Sequence, residues 1–338
     1  MNRHKPVFRP WGALLALLAL LAFALPGPPP PDPAPLRYPA YWRPPVYDFS
    51  KNPLTRQGIE LGRRLFYDPV LSRDSTVSCS TCHLSYTAFA HVDHALSHGI
   101  GDRIGRRNAP ALMNLAWAPQ LMWDGAVNHL DVQALAPIQH PDEMGETLAH
   151  VLQKIQTRAP YPRLFREAFG DSTATGERLL KALSQFELTL LSDRSKYDRV
   201  QAGTDTFSRQ EQQGYQLFRQ HCARCHEEPF FTNFSFENNG LPLDTALRDL
   251  GRMALTGRAA DSLKFKVPSL RNLEFSYPYM HDGRFRHLRE VLRHYTQATG
   301  PGFPIPLSAT EKVDLNAFLL TLTDRAFLFD PAFGFPRE

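Results

Sequence analysis

Apolar positions recur at helical spacing along most of this chain. In GERLLKALSQFELTLL, Leu179, Leu183, Phe186 and Leu190 fall on one face, the repeat of an amphipathic helix. SATEKVDLNAFLLTL carries a second stripe, Leu315, Phe318, Leu319 and Leu322, and opens with Ser308 and Glu311 at the spacing of a capping box. SRQEQQGYQLF opens the same way, with Ser208 and Glu211. Near residue 290, Leu288, Val291, Leu292 and Tyr295 share an inward face, while His287 and His294 lie on the outward one. The intervening stretches are rich in Pro, Gly and Asn, and no run of alternating residues marks a sheet. The pattern predicts a mostly α fold with long loops.

The N-terminus is patterned differently. MNRHKPVFRP is basic, WGALLALLALLAFALPG is apolar, and Ala22 to Ala24 offer a small-residue cleavage site. Residues 1–24 therefore read as a secretory signal peptide. The apolar run is short for a membrane span, with an uncleaved anchor as the alternative. Residues 25–50, dense in proline, read as an extended linker. About 290 residues then remain, enough for two ordinary domains, divided here as 51–200 and 201–338. The formal net charge is +4 and the basic residues form no long run, so nucleic acid is not indicated as a partner.

The cysteines change the picture. There are only 4, and all lie in two C-x-x-C-H motifs: Cys79, Cys82 and His83, then Cys222, Cys225 and His226. One such triplet could be a redox dithiol, half a zinc site or a haem attachment. Zinc ribbons place their knuckles roughly 15 to 20 residues apart, whereas 139 residues separate Cys82 from Cys222. A redox dithiol needs no following histidine. Covalent haem needs every part: two thiols for the vinyl groups and an imidazole for iron. Two covalent haems c, one per domain, follow. Export agrees, because c-type cytochromes mature outside the bacterial cytoplasm.

Around these motifs stand LGRRLFYDPVLSRDSTVSCSTCH, GRRNAPAL, WDG, HPDEMG, PSLRN, PYMHDGRF and TLTD. With them the chain resembles the bacterial dihaem cytochrome c peroxidase family, which includes MauG-type enzymes, from about Asn52 to about Phe327. The resemblance implies two cytochrome c-like domains. Hydrogen peroxide would react at the first haem, and the second would receive electrons from a small periplasmic donor, a c-type cytochrome or a cupredoxin. His83 and His226 would be the proximal iron ligands, and Glu143 and Gln133 would face the first haem's open side. Trp123 would lie between the haems, and Asn108 with the carbonyls of Ser276 and Pro278 would hold a calcium ion. A homodimer is entertained as the assembly. The chemistry asks for the same types independently: O–O cleavage needs a carboxylate that moves a proton and an amide that orients peroxide.

Two positions depart from the commonest pattern. Where many relatives place a histidine that caps the first iron, this chain has Ile100, which cannot ligate; His91, His94 and His98 are near, and His98 is the nearest candidate. At the second iron the family's Met position is Tyr295, as in MauG-type enzymes, with Met280 as the alternative ligand. A hard anionic oxygen would lower this haem's potential. Three functions follow as expectations: a periplasmic peroxidase fed by a small donor protein, a MauG-like oxidase modifying a partner or other substrate, and a plain dihaem electron carrier. The carrier would leave Glu143 and Gln133 without a task.

Overall fold

The computed structural model describes Met1 and residues 30–300 and 303–337. The expected signal peptide, apart from Met1, lies outside the described residues. Thirteen α-helices are present among those described: α1 (Arg56–Tyr67), α2 (Cys79–Cys82), α3 (Leu130–Gln133), α4 (Leu135–Gln139), α5 (Leu148–Thr157), α6 (Tyr161–Phe169), α7 (Gly176–Leu188), α8 (Lys196–Gln201), α9 (Arg209–His221), α10 (Met253–Thr256), α11 (Leu288–Gln297), α12 (Ala309–Leu320) and α13 (Arg325–Leu328). One two-stranded antiparallel ribbon joins β1 (Phe236–Glu237) to β2 (Phe265–Lys266). The mostly α reading holds. No described helix is long and apolar enough to cross a membrane.

Each half is organised on a helix pair. In the first, α1 lies against α7, and Gly62 makes the approach: a Cβ there would overlap the carbonyl oxygen of Ala182. In the second, α9 lies against α12, and a Cβ on Gly214 would overlap the Asp314 carbonyl oxygen. Helices α9 and α12 start in the capping boxes expected at Ser208–Glu211 and Ser308–Glu311. The first core gathers Leu61, Leu65, Phe66, Phe165, Leu183 and Phe186; the second gathers Phe218, Phe231, Leu315, Phe318 and Leu322. A third core gathers Trp42, Leu54, Trp117, Leu188 and Phe230.

The segments that join the units are packed rather than free. Residues 30–50 form no helix and no strand, as their composition requires, but Trp42 is 3 % exposed and wedged edge-on against Trp117 and Phe230. Arg271, fully buried, gives Asp198 a two-pronged ion pair at 2.7 and 2.8 Å. The last residues return to the first unit. Phe327 and Leu328 enter its core, and the Tyr67 hydroxyl donates to the Phe333 carbonyl at 2.7 Å.

Candidate haem sites and the bridge between them

Ser78 caps α2, whose single turn puts Cys79 and Cys82 three residues apart and so on one side. His83 follows as the C-cap. Its Nδ1–H donates to the Phe89 carbonyl at 2.6 Å, which leaves Nε2 free for a metal. That carbonyl is turned back by two successive left-handed residues, Ala88 and Phe89, both fully buried. Burial pushes the His83 imidazole down to about 4, keeping it neutral as ligation requires.

The second site repeats the device. Cys222 caps the C-terminus of α9, and the His226 Nδ1–H is shared between the carbonyls of Phe231, at 3.1 Å, and Pro268, at 3.2 Å. Phe231 is again left-handed. Burial lowers the His226 pKa too. None of the four cysteines is paired in a disulfide. Burial, with Glu143 nearby, pushes the Cys82 thiol up to about 11, and it pushes Cys222 up to about 12. Reactive dithiols have lowered pKa values, so this setting argues against redox exchange. Paired thiols, each set beside an oriented imidazole, fit covalent haem.

Glu143 is brought to the first motif. Gly99 lets the loop close onto it: a Cβ there would overlap the carbonyls of Asp142 and Glu143, and the Ile100 amide donates to the Glu143 carbonyl at 2.8 Å. Burial raises the Glu143 pKa, with His140 opposing and Asp142 adding to the rise. The loop histidines form a ladder. His91 stacks on His94 with ring centroids 5.3 Å apart, and His94 on His98 at 4.2 Å. His98 Nδ1 meets Asp102 at 2.8 Å, and the His98 carbonyl, not its ring, approaches the Cys82 sulfur at 3.5 Å. Among the described residues, no group of three His, Cys, Asp or Glu side chains is placed to hold a metal ion.

Gln133 ends α3 and reaches the Met122 sulfur at 3.7 Å, one residue before Trp123. Trp123 joins the halves: its indole N–H donates to the Asn108 carbonyl at 2.8 Å, and its own carbonyl accepts from the Lys266 amide at 2.6 Å. Beside it, Arg107 pairs with Asp124 at 2.7 Å and with Asp249 at 2.6 Å. The Asn108 amide NH₂ donates to the Ala95 carbonyl at 3.0 Å. Among the described residues no donor reaches its side-chain oxygen or the carbonyls of Ser276 and Pro278. Free neutral oxygens of this kind suit a hard cation.

At the second site the two candidate ligands meet one residue. The Asn239 amide donates to the Met280 sulfur at 3.4 Å. Burial pushes the Tyr295 phenol up to about 12, the Asn239 side chain opposing and the Cys222 and Cys225 thiols adding to the rise. Tyr295 therefore lies near the cysteine pair. His294, expected outward, is half-buried and bonded to the Asn239 carbonyl at 2.9 Å. Asn239 and Lys266 carry no sequence signal that would single them out.

Residues 56–206 match the family model described as di-haem cytochrome c peroxidase. The methylamine utilization protein MauG of Methylorubrum extorquens is 37% identical over 286 residues, covering 80% of this chain and 79% of that protein. The cytochrome c551 peroxidase of Nitrosomonas europaea is 36% identical over 239 residues, covering 69% and 71%. The crystal structure of a MauG-like protein associated with microbial copper homeostasis superposes with a TM-score of 0.82 at 31% identity, covering 90% of this chain and 99% of that one. With its two attachment motifs on this fold and relatives of this closeness, the chain belongs to the di-haem cytochrome c peroxidase family.

Proposed function

We propose that the protein is a dihaem c-type peroxidase that reduces hydrogen peroxide to water, two electrons and two protons being consumed per peroxide. The observation that carries this reading is the half-buried Glu143 carboxyl, with its raised pKa, held beside the first attachment motif. His83, Cys79 and Cys82 would hold a haem, which would supply the redox chemistry that peroxide reduction needs. Glu143 takes a proton from one peroxide oxygen and returns it to the leaving one, a transfer favoured when the acid's pKa is near the working pH. Gln133 orients the peroxide with its amide. Trp123, bonded to both halves, shortens the electron's path from the second haem, held by Cys222, Cys225 and His226. Calcium at Asn108, Ser276 and Pro278 would brace this bridge. The electrons come from a small c-type cytochrome or cupredoxin, and the expected covalent haem attachment supports a periplasmic setting.

A second reading has its own support. The Tyr295 phenol lies near the second cysteine pair, and an anionic oxygen ligand would lower that haem's potential. Such a haem is a poor acceptor from a high-potential cytochrome and a better store of oxidising equivalents. This is the setting of a MauG-like oxidase that modifies a partner. The ferric electronic spectrum separates both enzymes from an electron carrier: an enzyme shows a high-spin component that peroxide perturbs. A wholly low-spin spectrum, unchanged by peroxide, would refute both.

A further inference from the structure

Lys266 lies on the strip of chain that joins the bridge to the second haem site. Its amide holds the Trp123 carbonyl at 2.6 Å. One residue on, the Val267 carbonyl accepts from the Thr232 hydroxyl at 2.6 Å; two residues on, the Pro268 carbonyl orients His226 at 3.2 Å. The strip is thus fixed to the wall that carries the second proximal histidine.

The Lys266 side chain is only partly accessible, and it is densely surrounded by the protein. Burial alone pushes its ammonium down to about 8; no acid opposes the fall. Other enclosed cations in this protein have their acids: Arg107 has Asp124 and Asp249, Arg271 has Asp198, and Lys154 has Glu146. Lys266 has no ion-pair partner among the described residues. An enclosed ammonium without a counter-ion is costly, so such groups are paired. Each haem c carries two carboxylates, the propionates, which a protein must meet with cations or donors.

We propose that the Lys266 ammonium pairs with a propionate of the second haem at the edge facing Trp123, and so positions that haem and raises its reduction potential. The inference rests on the dihaem reading. A positive charge beside the porphyrin favours the electron-rich ferrous state, and removing it favours the ferric one. Lys266 is then a positioning residue that sets the driving force across Trp123.

Spectroelectrochemical titration of the holoprotein, which needs no turnover, tests this. Lys266→Met and Lys266→Gln are expected to shift the second haem's midpoint to lower potential, with a smaller shift at the first. Lys266→Arg keeps it close to that of the unsubstituted protein. An unchanged second midpoint in both neutral variants, with two haems covalently loaded, overturns the proposal; so does a shift confined to the first haem. If neither neutral variant loads its haems, resonance Raman of the unsubstituted protein decides. The second haem's propionate-bending band should move on exchange into D2O, and an unmoved band overturns the pairing. Failure of covalent loading in the unsubstituted protein would instead remove the dihaem reading itself.

Discussion

Replacing Glu143 with Gln removes a proton carrier and almost nothing else. The anchors of this residue are main-chain ones, its carbonyl accepting from Ile100 at 2.8 Å and its amide donating to the His140 carbonyl at 3.1 Å. The amide side chain fills the same space beside Cys82. Fold and haem attachment should therefore survive. General acid–base groups typically contribute about 10² to 10⁴ in rate. A loss of about a hundredfold in peroxide turnover is expected, about 2.7 kcal/mol in the barrier. The assay is stopped-flow reaction of the reduced protein with peroxide across pH. In the unsubstituted protein the rate should rise as pH climbs through the elevated Glu143 pKa, because the carboxylate is the form that accepts peroxide's proton. That limb should vanish in Glu143→Gln. A variant within a few-fold of the parent rate, with the limb intact, would refute the role.

Further outcomes follow from the same geometry. Tyr295→Phe should turn the second haem high-spin or admit another ligand while Met280→Leu leaves its spectrum alone; a near-infrared methionine band lost in Met280→Leu would reverse the assignment. Gly214→Ala pushes a methyl into the Asp314 carbonyl where α9 meets α12, and should cost about 1–3 kcal/mol, read as a lowered Tm; an unchanged Tm would refute the close approach. Glu187 is buried and its pKa is raised to about 8, first by burial and then by Asp131. Its folded pKa exceeds the unfolded value, so its contribution is full at low pH and is lost as pH rises toward 8. Glu187→Gln should therefore gain Tm over the parent at about pH 8 but not at about pH 4; equal differences at both would contradict this.

What the sequence conveys divides by the range of the interaction. The helices around Leu183, Ser208 and Ser308 are legible because capping and periodicity are local, and the structure keeps all three. The attachment motifs are legible because thiol and imidazole chemistry fixes their spacing. The repeat around them is longer than it looks in the sequence. A G-x-x-L-F precedes each motif, with Gly62 and Gly214 at the helix contacts, and a left-handed phenylalanine, Phe89 or Phe231, orients each histidine. Unequal loop lengths hide this in the sequence. Composition keeps residues 30–50 out of helix and sheet, but that Trp42 closes a core against Trp117 and Phe230 depends on residues far along the chain. Asn239 and Lys266 acquire meaning only from what surrounds them, and neither type advertises a role.

The central claim, peroxide reduction at the expense of a small electron donor, is tested most directly by steady-state turnover. The purified dihaem protein is supplied with hydrogen peroxide and reduced c-type cytochrome, and donor oxidation is followed. The account expects saturable oxidation, two donor electrons per peroxide, abolished by heat and strongly reduced in Glu143→Gln. Donor oxidation no faster than without enzyme, from a protein carrying both haems and reacting with peroxide, would contradict the peroxidase and leave the oxidase that acts on a partner.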